Sequence, residues 1–85
     1  MIPIRELFNR IRWDPEFSQG EFAVGYHDRL EERIIVFPFS DVYFAPDDHF
    51  AIQVSDALGQ THTVPLHRVC EVYRNGECIW QREHR

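Results

Sequence analysis

Eighty-five residues suffice for one compact core and leave no room for a second domain, so a single domain over residues 1–85 is expected. A 44% hydrophobic and 14% aromatic content supplies the apolar area that disordered chains lack, and the chain should fold unaided. Fourteen acids against nine basic residues give a net charge of −5, the wrong sign for a protein that coats nucleic acid along its length.

Ile4, Leu7, Phe8 and Ile11 follow the i, i+3, i+4, i+7 spacing of one helical face, with Arg5, Glu6, Asn9, Arg10 and Arg12 elsewhere, so an amphipathic helix is expected over residues 3–12. Pro3 suits its first position, and Asp14-Pro15 restricts the backbone and stops it. Trp13, directly after the apolar stripe, reads as an anchor between helix and sheet. Residues 16–20 read as loop.

From Glu21 the pattern switches to period two. Phe22, Val24 and Tyr26 alternate with Glu21, Ala23 and His27, and Arg33 to Phe39 is a β-branched and aromatic run. Pro38 and Pro46 bracket a connection. Phe50, Ile52 and Val54 then alternate with His49, Gln53 and Ser55 in a half-buried strand. A turn at Asp56 to Gln60 returns the chain to strands at Thr61 to Pro65, Val69 to Arg74 and Glu77 to Arg82, the last two joined by the hairpin signal Asn75-Gly76. The fold class is therefore α+β, an N-terminal amphipathic helix packed on a largely antiparallel sheet of about five or six strands.

A two-residue Asn-Gly loop places Arg74 opposite Glu77, Tyr73 opposite Cys78, Val72 opposite Ile79 and Glu71 opposite Trp80. In that register Cys70 shares a face with Val72 and Ile79, and Cys78 shares the other with Tyr73 and Trp80. A disulfide is disfavoured, which agrees with a reducing compartment. No apolar run reaches the roughly 18 residues of a membrane helix and no signal-peptide pattern opens the chain, so the expected location is the cytoplasm.

Groups suited to holding a phosphate gather at Asp28-Arg29, His49 and His67-Arg68, each near a strand end. Arginine supplies a planar fork for phosphate oxygens and histidine a further donor. The competing reading pairs Arg29 with Asp28, Glu31 or Glu32 in a hairpin loop. Tyr73 and Trp80 could stack on unpaired bases or simply belong to the core. No spacing of His, Cys or Asp matches a zinc pattern, no glycine-rich phosphate loop occurs, and no metal or other cofactor is expected. A hydrolase reading would name His49 and His67 as acid and base, but two histidines are necessary and not sufficient, and His62-Thr63-Val64 does not give the His-x-Ser/Thr signature of two-histidine phosphoesterases.

Taken in order, residues 4–14, Tyr26-His27-Asp28-Arg29, His49-Phe50, Val64-Pro65-Leu66-His67-Arg68-Val69 and Gly76-Glu77-Cys78-Ile79-Trp80-Gln81-Arg82 resemble a small family of archaeal, bacterial and eukaryotic domains with a predicted role in recognising RNA cyclic-phosphate ends. The resemblance covers residues 1–82. It implies a module that senses RNA termini carrying a 2′,3′-cyclic phosphate, in some cases alongside RNA repair or phosphoesterase proteins, with neither DNA nor a membrane as partner. Its motifs fall on Tyr26, Asp28 and Arg29, on Pro65, His67 and Arg68, on Trp13 and Asp14, and on Trp80 and Arg82. On this reading Arg29, His67, Arg68 and His49 bind the phosphate. Tyr26 or Trp80 stacks on the last base, and Asp28, Asp14 and Arg82 support them. Two alternatives stay open: a cyclic phosphodiester hydrolase using His49 and His67, and an adaptor that docks a protein partner through its aromatic sheet face.

Overall fold

The computed structural model describes residues 2–82. The expected helix forms as α1 (Ile4–Trp13), and its four stripe residues Ile4, Leu7, Phe8 and Ile11 are all buried. Pro3 sits one residue earlier than expected, as an extended cap whose carbonyl accepts the Leu7 N–H at 3.1 Å. The stop comes from Asp14 as much as from Pro15. Its Oδ1 accepts the N–H groups of Glu16 (3.0 Å) and Phe17 (3.2 Å), turning the chain out of the helix.

Among the described residues seven strands follow, all paired antiparallel: β1 (Phe22–Asp28), β2 (Arg33–Pro38), β3 (Val42–Tyr43), β4 (Ala51–Ser55), β5 (Thr61–Pro65), β6 (Val69–Arg74) and β7 (Glu77–Gln81). The α+β class stands, but the single sheet does not. The strands form a four-stranded sheet in the order β2-β1-β6-β7 and a three-stranded sheet in the order β3-β4-β5. The chain leaves the first sheet after Pro38 through the one-turn 3-10 helix Phe39–Asp41 and returns at Pro65, where β5 ends and the 3-10 helix Leu66–Arg68 redirects it so that β6 joins β1. The extra strand, β3, lies in the connection between Pro38 and Pro46 and is two residues long, too short to show alternation.

One core joins the two sheets to the helix. The buried face of α1 shares it with Val24 and Phe37, with Ile52, Val54 and Val64, and with Val69, Val72 and Trp80. Phe8 makes ring contacts with Phe39 and Phe44, both at 5.6 Å, so the helix is locked to the chain on either side of β3. Trp13 is not the anchor expected of it: it is 71% exposed. Two positions beyond Ile11 it lies about 200° around the helix from the buried stripe.

The hairpin turn forms as expected, with positive φ at Asn75 (51°) and Gly76 (83°). Asn75 also fastens it to the start of β1: its Oδ1 accepts the Glu21 N–H at 2.8 Å and its own N–H donates to the Glu21 carbonyl at 2.7 Å. Beyond Tyr73↔Cys78 the expected register fails. A bulge leaves Ile79 without an opposite residue, so Val72 faces Trp80 and Glu71 faces Gln81. Trp80 therefore lies across from Val72 and enters the core, as the packing reading of this ring had it, while Ile79, expected opposite Val72, turns outward. The indole N–H donates to the Ile2 carbonyl at 2.9 Å, making Trp80 the residue that ties the last strand to the start of the chain.

Both cysteines are free thiols, Cys70 buried and Cys78 exposed. Burial, together with the nearby Glu71 charge, pushes the Cys70 thiol up. A native-state alkylating reagent should modify Cys78 and spare Cys70 until the protein unfolds. Peptide mass spectrometry reads this directly, and equal labelling of both in native buffer would contradict the fold. Among the described residues no helix is long and apolar enough to cross a membrane.

Candidate functional site

β1 ends at Asp28, whose Oδ1 accepts the N–H groups of Leu30 (2.8 Å) and Glu31 (3.2 Å). This carboxylate-capped turn is what presents Arg29; Asp28 acts on the loop backbone and not as an ion-pair partner. Glu31 is engaged by Arg33 through two contacts of 2.6 and 2.7 Å, and among the described residues Arg29 has no carboxylate partner. The hairpin pairing weighed for Arg29 in the sequence is thus taken by Arg33.

On the other side, Pro65 hands the chain to the tight turn Leu66–Arg68. Arg82 braces that turn from behind. Its Nη2 donates to the Leu66 carbonyl, its Nε to the Val69 carbonyl at 2.8 Å, and its backbone N–H to the Cys70 carbonyl at 2.9 Å. Two carbonyls flanking His67 and Arg68 are thereby fixed by one guanidinium that also lies 5.2 Å from the Trp80 ring. Arg82 thus holds the backbone of the turn that carries Arg68.

Between these loops lies a hollow of about 190 Å³, lined by Tyr26, Asp28, Arg29, His62, Thr63 and Arg68 among others. Tyr26 forms one wall, its ring packed 5.6 Å from that of Phe37. Burial, then the charges of Asp28 and Glu31, raise its phenol above the ordinary tyrosine range, so it stays a neutral donor. Arg29 is exposed and Arg68 half-buried, and neither guanidinium is paired with a carboxylate among the described residues. Such a pair can hold an anion, since the protein itself leaves their hydrogen-bonding forks unused.

His62 and Thr63 are additions that the sequence reading did not place here. His62 Nε2 lies 2.7 Å from Asp56 Oδ2, and this bond, with the Gln60 and Leu58 N–H groups, holds the Asp56 carboxyl below its ordinary range. Both residues stand on β5 just ahead of the Pro65-x-His67-Arg68 motif. That position is the one signal that could have pointed to them.

The other expected site residues lie elsewhere. His67 is exposed beside Arg68 but does not line the hollow. His49 lines a different recess, against α1, so the two histidines do not meet in either. Trp80 is in the core at 7% exposure, where its ring cannot receive a base. Asp14 closes α1 and borders a shallow surface with Trp13, away from Arg29 and Arg68. Among the described residues no cluster of three His, Cys, Asp or Glu side chains could hold a metal ion.

A UPF0248 protein of Methanococcus maripaludis, MmarC5_1387, is 24% identical over 82 residues, covering 93% of this chain and 97% of its own length. No solved structure matches the chain. The model of the MJ1316 RNA cyclic group end recognition domain matches residues 1–82, nearly the whole chain, and the protein belongs to that family.

Proposed function

We propose that this protein binds RNA ends, seating a terminal 2′,3′-cyclic phosphate in the hollow between the β1–β2 turn and the turn after β5. The observation that carries the reading is the approach of Arg29 and Arg68, far apart in sequence, to one small recess with neither guanidinium paired to a carboxylate among the described residues. A cyclic phosphodiester carries one negative charge and two free oxygens, and two guanidinium forks match it. Tyr26 contributes its hydroxyl or its ring edge, and Thr63 and His62 complete the wall. The volume is below the roughly 300 Å³ at which pockets for drug-sized ligands begin, which suits one terminal group and not a duplex. The net charge of −5 favours the same conclusion, because attraction is confined to a local site. The family's description, RNA cyclic group end recognition, agrees.

Matched RNAs ending in cyclic phosphate, linear 3′-phosphate or hydroxyl test it by fluorescence anisotropy, with the RNA recovered and analysed afterwards. The cyclic end should bind tightest and be returned unchanged. Equal affinity for the hydroxyl end would refute end recognition, and conversion of the cyclic end to a linear phosphate would move the protein to the hydrolases.

A further inference from the structure

The hollow accounts for neither His49 nor the aromatic side chains left in water beside α1. Next to it runs a groove of about 420 Å³ between α1 and the segment leading into β4. Arg5, Asn9 and Arg12 recur at i, i+4, i+7 and form a polar seam along the edge of the buried helix face; all three line the groove, and Phe44 and His49 stand opposite. Arg12 lies over the Phe44 ring at 4.3 Å and the Trp13 ring at 4.8 Å, and Arg5 lies 5.9 Å from the Phe50 ring. Phe50 is 78% exposed and Trp13 71%. Among the described residues no carboxylate pairs with Arg5 or Arg12. Asp48 borders the groove, but its Oδ1 accepts the Phe50 N–H at 2.9 Å and shapes the turn that presents His49 and Phe50.

We propose that this groove holds the nucleotides that precede the RNA end, with a base on the exposed Phe50 ring, which stands between the groove residues His49 and Ala51, and backbone phosphates on Arg5, Arg12 and His49. Exposed rings interleaved with arginines suit single-stranded nucleic acid, where each base offers a face to stack and each phosphate a charge. Continuity supports the same occupant, and this step rests on the reading of the hollow as the terminal site. Leu66 lines the groove and Arg68 lines the hollow, at the two ends of one helical turn. Ala51 of the groove pairs directly with Pro65 of the hollow, and the Leu66 N–H donates to the Phe50 carbonyl at 2.9 Å. A strand whose end sits against Arg68 thus passes the exposed His67 into the groove.

The test compares a dinucleotide and a hexanucleotide of oligouridine, each ending in cyclic phosphate or hydroxyl, on wild type, Phe50→Ala, Arg5→Glu and Arg68→Ala. All three substituted side chains lie at the surface or half-buried, and thermal melts confirm folding. In wild type the hexamer should bind at least fivefold tighter than the dimer. Phe50→Ala and Arg5→Glu should bring that ratio near one, whereas Arg68→Ala should weaken both lengths and keep it. A length advantage absent in wild type, or unchanged in the groove variants, overturns the groove while leaving the end site to stand on Arg68→Ala. Groove variants that weaken a hydroxyl-ended hexamer, itself bound as tightly as the cyclic one, support the groove and remove the end site. Displacement of the hexamer by hexaglutamate at equal concentration would overturn the assignment to RNA.

Discussion

Phe8→Ala should lower the unfolding free energy by about 3–5 kcal/mol, the range for deleting a buried aromatic ring. Phe8 is 2% exposed and its ring meets both Phe39 and Phe44, so the cavity opens where α1 holds the chain around β3. Domains in general retain only about 5–15 kcal/mol, and small ones lie toward the low end, so the variant should approach the threshold of folding. Urea unfolding followed by tryptophan fluorescence reads the change, with Trp80 as the buried reporter. Leu58→Ala, at 85% exposure, is the control and should shift stability by no more than about 0.5 kcal/mol. A Phe8→Ala loss as small as the control's would show that α1 is an appendage and not part of the core. Removing residues 1–12 deletes Ile4, Leu7, Phe8 and Ile11 together and should abolish the cooperative transition.

The largest effect on binding is expected at Arg68. Its replacement by alanine should weaken a cyclic-phosphate-ended RNA by about 1.5–3 kcal/mol, the scale of a hydrogen bond to a charged group and roughly 10- to 150-fold in Kd. Lysine should restore part of this, since it keeps the charge and loses the planar fork. Wild type and Arg68→Ala should bind a hydroxyl-ended RNA alike, because neither then has the phosphate contact to lose. Arg68 has no carboxylate partner among the described residues, so the melting temperature should hardly move. A lowered melting temperature with unchanged RNA affinity would instead make Arg68 a structural residue and bring the adaptor reading forward.

Local physics fixes much of this molecule within the sequence. The stripe Ile4, Leu7, Phe8, Ile11 is a helical period with one possible burial, and all four residues are buried. Asn75-Gly76 demands two positive φ angles and receives them. Each strand except β3 lies within or next to a run of alternating or β-branched residues, and Arg29 and Arg68 stand at strand ends because turns there need polar, flexible chemistry. Which strands pair is a different matter. Alternation states only that a strand has two faces, so the division into two sheets depended on long-range contacts. The bulge at Ile79 adds one residue to β7 without a mark in composition, and that single residue puts Trp80 opposite Val72 and decides between the stacking and core readings of its ring. His49 and His67 look equivalent in sequence, yet the turn Leu66–Arg68 separates the groove of one from the hollow beside the other. Apart from β3, the elements and the chemistry at their ends are local properties that the residues carry. Which ends meet is not local, because a site assembled from distant segments is set by strand order and by the bulges that re-aim side chains.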